Sequence, residues 1–460
     1  MKEVKRRIEG IKTVLFTEWN TSGRDFGIVL PLIYYFENIL GWNVEFQSIF
    51  NLPAILKTSP DIVIMSNTVG STWNVKMAEL INDSSIPLFS HVSEGLFREN
   101  EIDGFLWGWN KKRKFNECIM SVWSMASYRM CINKYPQHSD KIKVSGSISF
   151  DKYKIFSFRR INSMGFKKVI GYAAFDFNNV SSSQKQIIIN EMGQEHYNVL
   201  LSWLPIAQNI LRYIVAKNPD IMFMVKPHPG DGQKYPLECR GLENMRNLTI
   251  CRYDSSIMDV IYSSDIWLNI NSTTNMEAWL LNKPSIAFND SVKMNSSDVL
   301  YGAIIENDPS IINDLIQEYY QTGELQRFQA KANIREKLVE DLIQFNDGLN
   351  HIRFLSFVKP YIDEAESMRK YTVKWKLSPL AKIVGYARHY LYAISKIFHY
   401  IPIINKWSFR YLGFDTAQLE HEKSVRYPEY DSFYDLNSQK IKYLYDNYAS
   451  KWDEALNVKK

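Results

Sequence analysis

Residues 221–236 read IMFMVKPHPGDGQKYP: five apolar residues, then Lys226-Pro227-His228-Pro229, then a turn rich in Gly and Asp. The apolar run predicts a buried strand, and His228 stands just past its end. A proline on each side restricts the backbone, so the imidazole is held with little freedom left to lose. Such an imidazole can donate to a phosphate or carboxylate, or act as a general acid near neutral pH. The alternative is a plain strand end with a surface histidine.

The stretch belongs to a long alternation of strand-like and helix-like segments. Short apolar runs separated by helical lengths indicate βαβ units and parallel sheets, which bind ligands at the carboxyl ends of their strands. We expect an α/β fold of two Rossmann-like domains facing a cleft, over 1–155 and 156–350, with a helical C-terminal extension over 351–460. The predicted strands are 12–17, 43–49, 61–66, 86–93, 117–124, 141–147, 167–175, 221–227, 247–252, 266–270 and 284–288. The predicted helices are roughly 26–40, 196–217, 255–265, 272–281, 309–345 and 351–366.

A second polar cluster lies in SSDIWLNINSTTNMEAWLLNKPSIAF, residues 263–288. A strand is predicted to end at Asn271, and a helix to begin at Ser272–Thr273. Helix N-termini offer N–H groups and a positive dipole end, so they suit a phosphate. Glu277, about one turn in, would reach ribose hydroxyls beside that phosphate. The alternative is an ordinary Ser/Thr helix cap followed by a solvated glutamate.

The two clusters together resemble the nucleotide-binding domain of bacterial surface-polysaccharide glycosyltransferases with the GT-B fold. The nearest resemblance is to capsule and O-antigen enzymes that transfer Kdo or sialic-acid-like sugars from CMP donors, and a more distant one is to teichoic-acid polymerases. The resemblance implies that His228-Pro229 and Ser272-Thr273 contact the nucleotide phosphate and ribose. It gives Glu277 the role of a ribose contact.

The first half contains a candidate for the catalytic base. HVSEGLF (91–97) places Glu94-Gly95 at the end of a predicted strand. Sialyltransferase-like families carry two acidic residues and a glycine there, and their carboxylate acts as the base. This chain departs from that pattern because Ser93 precedes Glu94. The alternative reading of Glu94 is a glutamate in a turn.

Asp25, in TSGRDFG (21–27), is a second acidic candidate for the base or nucleophile. Arg24 beside it would bind a carboxylate of the donor. Two further stretches resemble the same enzymes: KIKVSGSISFDKY (141–153), which would end the first domain, and LIQFNDGLNHIRF (342–354), which would precede the crossing helix.

The chain contains no Asp-x-Asp pair, the motif with which many related transferases hold a divalent cation. We therefore expect no metal and no cofactor beyond the nucleotide-sugar donor. The charge of the leaving phosphate would be balanced by His228, Lys226 and the helix end at Ser272.

A basic aromatic segment, 374–414, follows the two domains. Between Ser367 and Phe414 there are nine Lys/Arg and no Asp or Glu, which exceeds the net charge of +5 for the whole chain. Basic amphipathic helices with interfacial aromatics lie on anionic membranes. The alternative is a helix packed on the core with a solvated basic face. Nucleic acid is not expected as a partner, since no recognised binding module accompanies the charge.

The expected location is cytoplasmic, at the inner face of the membrane. The four cysteines form no C-x-x-C pair, and the longest apolar run, 26–36, is about half a transmembrane span.

The sequence thus predicts a glycosyltransferase that moves a sugar from a CMP donor to a growing cell-surface glycan or lipid-linked glycan. A CDP-glycerol or CDP-ribitol phosphotransferase, a non-catalytic nucleotide-sugar-binding protein and a sugar-nucleotide 2-epimerase are the alternatives.

Overall fold

The structure is a computed structural model. It describes residues 10–18, 23–49, 51–68, 72–93, 95–96, 115–182, 185–228, 235–252, 255–288, 298–369, 371–377 and 439–444.

The described chain divides into two compact units. Unit 1 contains the residues up to Phe156 and those from Glu340 to the last described residue. Unit 2 is the continuous span Ser157–Val339. Unit 1 is therefore assembled from two separate parts of the sequence, whereas the described part of unit 2 is one stretch.

Sheet one, in unit 1, is fully parallel and has the order β2-β1-β3-β4-β5-β6 among the described strands. Strands β1 and β3 are wholly buried, which is typical of parallel sheets covered by helices on both faces. Its strands are β1 Thr13–Glu18, β2 Asn43–Ser48, β3 Ile62–Met65, β4 Leu88–Ser90, β5 Ile119–Val122 and β6 Ile142–Val144.

Sheet two, in unit 2, has the described order β12-β11-β10-β7-β8-β9 and is also fully parallel. This order corresponds to the Rossmann arrangement 3-2-1-4-5-6, in which the chain changes direction of growth after the first three strands. Its strands are β7 Lys168–Ala173, β8 Ile221–Lys226, β9 Leu248–Ile250, β10 Ile266–Asn269, β11 Ser285–Ala287 and β12 Ile304–Ile305.

Helices connect the strands in both units. Helix α1 continues directly into a π-helical turn at Tyr35–Ile39. The helices are α1 Gly23–Tyr34, α2 Leu52–Ile55, α3 Thr72–Asp83, α4 Met125–Lys134, α5 Ile148–Ile155, α6 Phe177–Val180, α7 Lys185–Met192, α8 Gln194–Lys217, α9 Ile257–Ser263, α10 Thr274–Leu280, α11 Pro309–Thr322, α12 Gln326–Gln329, α13 Ala332–Ile343 and α14 Asn350–Ser367.

The predicted strands are confirmed, with ends that differ by at most three residues. Helices α2–α7 were not predicted individually. Two further differences have a clear physical reason. The short strand β12 has only two residues, too few to give a sequence pattern. The helical region predicted over 309–345 is three helices, because Gly323 ends α11 in the left-handed conformation (φ 82°).

Helix α8 is the described helix whose length and hydropathy would allow it to cross a membrane, a test that core helices of soluble proteins also pass. In unit 2 its apolar side is buried, with Trp203, Ile210 and Ile214 among the residues that pack inward.

Helix α14 is fixed in unit 1 by the carboxylate of Asp151. This residue lies in α5, near the end of the first of the two sequence segments that form unit 1. Asp151 accepts hydrogen bonds from the backbone N–H of Asn350 (3.1 Å) and of His351 (2.8 Å), and its Oδ2 lies 2.8 Å from His351 Nδ1. One buried side chain therefore satisfies two N–H groups in the first turn of α14, which have no partner within the helix. The helix then packs against β4 and the residue after it, where Tyr361 contacts Phe89 and Phe354 contacts His91.

Gly146 allows this close docking. Its φ of +80° disfavours any residue with a Cβ, and a Cβ built there would lie 2.1 Å from Asn350 Oδ1. Asn350 in turn donates to the carbonyl of Ser147 at 2.9 Å. The stretches 141–153 and 342–354, singled out separately in the sequence, are thus in direct contact.

We expect Asp151→Ala to lower the free energy of unfolding of unit 1 by about 3–5 kcal/mol, since it leaves buried partners unsatisfied. Urea denaturation followed by tryptophan fluorescence measures the change. Asp140→Ala, at an exposed turn before β6, is the matched control and should leave the midpoint unchanged. Equal midpoints for the two variants would contradict the role assigned to Asp151.

Candidate functional site

The candidate site lies at the carboxyl edge of sheet two. Doubly wound sheets bind ligands at this edge, at the point where the strand order reverses, which here is between β7 and β10. Three polar groups follow the strands around that point: Asp176 after β7, His228 after β8, and Asn271-Ser272 after β10.

His228 and Asp176 form a pair at this edge. Nδ1 of His228 lies 3.4 Å from Oδ2 of Asp176. The histidine side chain is 51% exposed, whereas the aspartate side chain is 9% exposed. Pro227, before the histidine, is buried. The imidazole therefore projects from a fixed backbone position with a buried carboxylate on one side.

Asp176 also has hydrogen bonds to the helix that follows it, α6. It is the N-cap of α6, where it accepts from Asn179 N at 3.4 Å and from Asn179 Nδ2 at 3.0 Å. Burial alone would raise the pKa of the Asp176 carboxyl. The interactions with His228 and Asn179 outweigh that effect and hold the pKa below its ordinary value, so this carboxylate is charged at neutral pH.

A buried glutamate anchors the segment that carries Asp176. Glu238 Oε1 accepts from Phe175 N at 2.8 Å and from the hydroxyl of Tyr172 at 3.2 Å. Burial, with the nearby Glu238 carboxylate, raises the pKa of Tyr172 well above its usual value, so the phenol stays a donor. A backbone hydrogen bond from Ala174 N to Lys226 O, at 3.0 Å, connects the segment that carries Asp176 to the end of β8.

Lys226 has a different environment from the one that its sequence position suggested. Its ammonium donates to the carbonyls of Arg252 (2.5 Å) and Ser255 (2.6 Å), and so braces the segment after β9. Its predicted contact with a phosphate stays a prediction.

Ser272 lies in a hydroxyl network after β10. Its Oγ accepts from Thr274 N at 3.2 Å and from Thr274 Oγ1 at 2.9 Å, and the Thr274 hydroxyl accepts from Trp267 Nε1 at 3.0 Å. Two accepted bonds leave the proton of the Ser272 hydroxyl for donation elsewhere. Helix α10 begins at Thr274, two residues later than predicted, and Thr273 is its exposed N-cap.

Two buried asparagines fix the position of this turn. Asn269 and Asn275 exchange side-chain amide hydrogen bonds of 2.8 and 3.1 Å, and Asn275 also donates to the carbonyl of Ser272 at 3.1 Å. Glu277 lies in the first turn of α10, half-buried, with its Oε2 atom buried. Its predicted contact with ribose stays a prediction.

The predicted residues of unit 1 are described only in part. Outside the described residues lie Glu94 and the side chain of Arg24. The same holds for Pro229 in unit 2. Asp25 is half-buried in the first turn of α1.

Gly95 is buried against an aromatic ring. A Cβ at this position would lie 2.8–2.9 Å from the indole ring of Trp123, whose Nε1 donates to Val92 O at 2.7 Å. Packing against Trp123 is therefore a sufficient physical reason for a glycine after Glu94. Its predicted contact with substrate stays a prediction.

The first residues of the basic aromatic segment pack on unit 1. Trp375 Nε1 donates to the carbonyl of Thr58 at 3.1 Å, and Trp375 and Leu377 contact the apolar cluster that contains Val373. Residues 378–414 of the segment lie outside the described residues, so its membrane contact stays a prediction. In the described ranges, no group of three or more His, Cys, Asp or Glu side chains is placed to hold a metal ion.

Asp176 and Glu238 were missed by sequence reasoning. Asp176 could have been found by the rule that selected His228, because it also follows a predicted strand, 167–175. Glu238 gave no signal, since it lies in a short 3-10 turn, Leu237–Cys239, far from any strand end in sequence.

No family model and no curated protein matches the chain. Its fold is similar to that of S. aureus MnaA, solved with UDP, at a TM-score of 0.50 and 12% identity over 77% of this chain and 97% of that one. The UDP-GlcNAc 2-epimerase of Neisseria meningitidis, bound to UDP-GlcNAc, aligns at a TM-score of 0.48 and 15% identity, covering 77% of this chain and all of that one. HepE of Anabaena, in complex with UDP-glucose, aligns at a TM-score of 0.42 and 12% identity, covering 77% of this chain and all of that one.

The two parallel six-stranded sheets, each with its helices, make this chain an α/β protein with a two-unit GT-B-like fold. The predicted fold class is confirmed.

Replacing Lys226 tests its bracing role. Lys226→Met should lower the free energy of unfolding by about 2 kcal/mol, since it removes charged hydrogen bonds to two carbonyls. Lys167→Met, at an exposed position before β7, is the control and should have no effect. Both are measured by thermal denaturation without nucleotide, and a wild-type melting temperature for Lys226→Met would contradict the assignment.

Proposed function

We propose that this chain is a nucleotide-sugar-dependent glycosyltransferase. The observation that carries the proposal is the His228–Asp176 pair at the carboxyl edge of sheet two, beside the point where the strand order reverses. An exposed imidazole held by a buried carboxylate is suited to donate a proton or hydrogen bond to an anion at this edge.

The surrounding chemistry supports a phosphate-bearing ligand. The Ser272 hydroxyl, across β7 from His228, has a proton to donate, and the paired asparagines fix its backbone. S. aureus MnaA, which has the same type of fold, was solved with UDP, and this supports a nucleotide as the ligand.

The donor that we propose is a CMP-activated sugar, Kdo or another nonulosonic acid, and the acceptor is a growing cell-surface glycan or lipid-linked glycan. This choice rests on the resemblance of the K-P-H-P and S-T-x-x-x-E stretches to capsule and O-antigen transferases. We propose a reaction without a metal ion, at the inner face of the cytoplasmic membrane, with residues 374–414 at the membrane surface.

The proposed reaction has three parts. The nucleotide binds unit 2, with Glu277 at the ribose. A carboxylate, for which Glu94 and Asp25 are the candidates, takes the proton of the acceptor hydroxyl or attacks the sugar. His228 and Ser272 stabilise the departing phosphate.

A thermal-shift screen with CMP, CDP, UDP and GDP tests the ligand class. A nucleotide that binds the folded state raises the melting temperature by mass action, and we expect the largest rise with CMP. A larger rise with UDP would contradict the CMP donor while leaving nucleotide binding intact. No rise with any nucleotide would contradict the proposed function.

His228→Ala tests the role of the imidazole. We expect donor turnover to fall by at least about 100-fold, because the leaving phosphate loses its acid, with an unchanged melting temperature. His196→Ala, in the first turn of α8, is the control and should retain turnover. Products are analysed with and without acceptor. A C2-epimerised nucleotide sugar formed without acceptor would identify an epimerase instead.

A further inference from the structure

Three histidine–carboxylate pairs occur among the described residues, and their surroundings differ. In two of them both side chains are at most 1% exposed, so neither imidazole can meet a ligand without unfolding of its surroundings. In the third, a buried carboxylate holds an imidazole that is half exposed. The pairs are His91–Glu18 (3.4 Å), His351–Asp151 (2.8 Å) and His228–Asp176 (3.4 Å).

The nitrogen of His228 that contacts Asp176 determines whether the other ring nitrogen carries a proton. Nδ1 of His228 faces the carboxylate, so in the neutral ring the proton is favoured on Nδ1 and Nε2 carries the lone pair. In the imidazolium both nitrogens carry protons, and Nε2–H is the one not directed at Asp176.

Asp176 is itself held in place before any ligand binds. It caps α6 through Asn179, and the preceding residue, Phe175, donates to Glu238. Its carboxylate is kept charged, since its pKa lies below the ordinary value. A charged acceptor that is itself fixed on two sides can orient the imidazole beside it.

We propose that Asp176 is a positioning residue, which holds His228 with Nδ1–H toward its own carboxylate and with Nε2 toward the phosphate oxygen that leaves the donor sugar. This inference rests on the proposed function. In the reaction, the oxygen of the acceptor hydroxyl forms a bond to the anomeric carbon. The bond between that carbon and the phosphate oxygen breaks, and its electron pair goes to the phosphate oxygen. The imidazolium gives its Nε2 proton to the oxygen, while the proton of the acceptor hydroxyl goes to the carboxylate that acts as base.

Two substitutions at Asp176 separate its charge from its capping role. Asn is as good an N-cap as Asp, so Asp176→Asn keeps the bond from Asn179 N and removes the charge, whereas Asp176→Ala removes both. The amide group that Asp176→Asn introduces would also donate to Nδ1 of His228 and so reverse the favoured tautomer. Asp220→Asn is the matched control, since Asp220 pairs with Lys168 at 2.8 Å and precedes β8 at the opposite edge of the sheet.

Nitrogen NMR of the full chain with ¹⁵N-labelled histidine gives the direct measurement. The His228 signals are identified by their loss in His228→Gln. We expect the Nδ1–H tautomer for the neutral ring in the wild type and in Asp220→Asn, and the Nε2–H tautomer in Asp176→Asn. An Nε2–H tautomer in the wild type overturns the proposal, and this result needs only the assignment variant, His228→Gln, to fold.

Turnover is measured with the nucleotide sugar whose nucleotide gives the largest thermal shift. We expect Asp176→Asn to lower kcat about 10- to 100-fold with KM within about twofold, because the acid is misdirected and binding is retained. Asp220→Asn should match the wild type. A wild-type kcat for a folded Asp176→Asn overturns the proposal. If the wild type binds no nucleotide, the proposed function fails, and the tautomer still decides whether Asp176 orients His228.

Discussion

Parallel pairing of β7 with β8 and β10 determines where unit 2 can perform chemistry. Because the three strands run in one direction, their last residues meet at a single edge, and residues distant in sequence become neighbours there. Ala173 pairs with Lys226, so the residues that follow these two positions, Asp176 and His228, are brought within reach of each other. The opposite edge, at Lys168 and Asp220, holds an exposed ion pair of the kind that contributes little to stability.

Much of this arrangement could be predicted from the sequence, and the limits of prediction have physical causes. Apolar runs such as 221–227 identify strands, because parallel strands are buried on both faces. Asp176 could have been selected as a polar residue after a predicted strand, but its pairing with His228 could not be predicted. That pairing depends on the register of β7 against β8, which the periodicity of the sequence does not contain. The carbonyl partners of Lys226 depend on the path of the segment after β9, and a charge near a strand end does not reveal them.

The histidine–carboxylate pairs show how burial changes the meaning of one chemical motif. His351 and Asp151 are completely buried, and their contact joins helix α14 to α5. Removing one partner of such a pair leaves the other buried without its hydrogen-bond partner, which strongly destabilises the fold. The role of this pair is therefore structural. His228 has the same type of partner, but its ring is half exposed, so a ligand can reach it without disturbing the core.

The docking of α14 also sets an order of events during synthesis. Asp151 is synthesised 200 residues before its partner His351, and Ser157–Val339, the described part of unit 2, is made in between. At ordinary translation rates that interval is roughly 10 to 40 s. Unit 1 must therefore spend this time on the ribosome with helices α1–α5 and strands β1–β6 made and helix α14 still missing. A nascent chain with an uncovered apolar surface for that long is a natural client of chaperones, while the described part of unit 2, Ser157–Val339, is one stretch and can fold first.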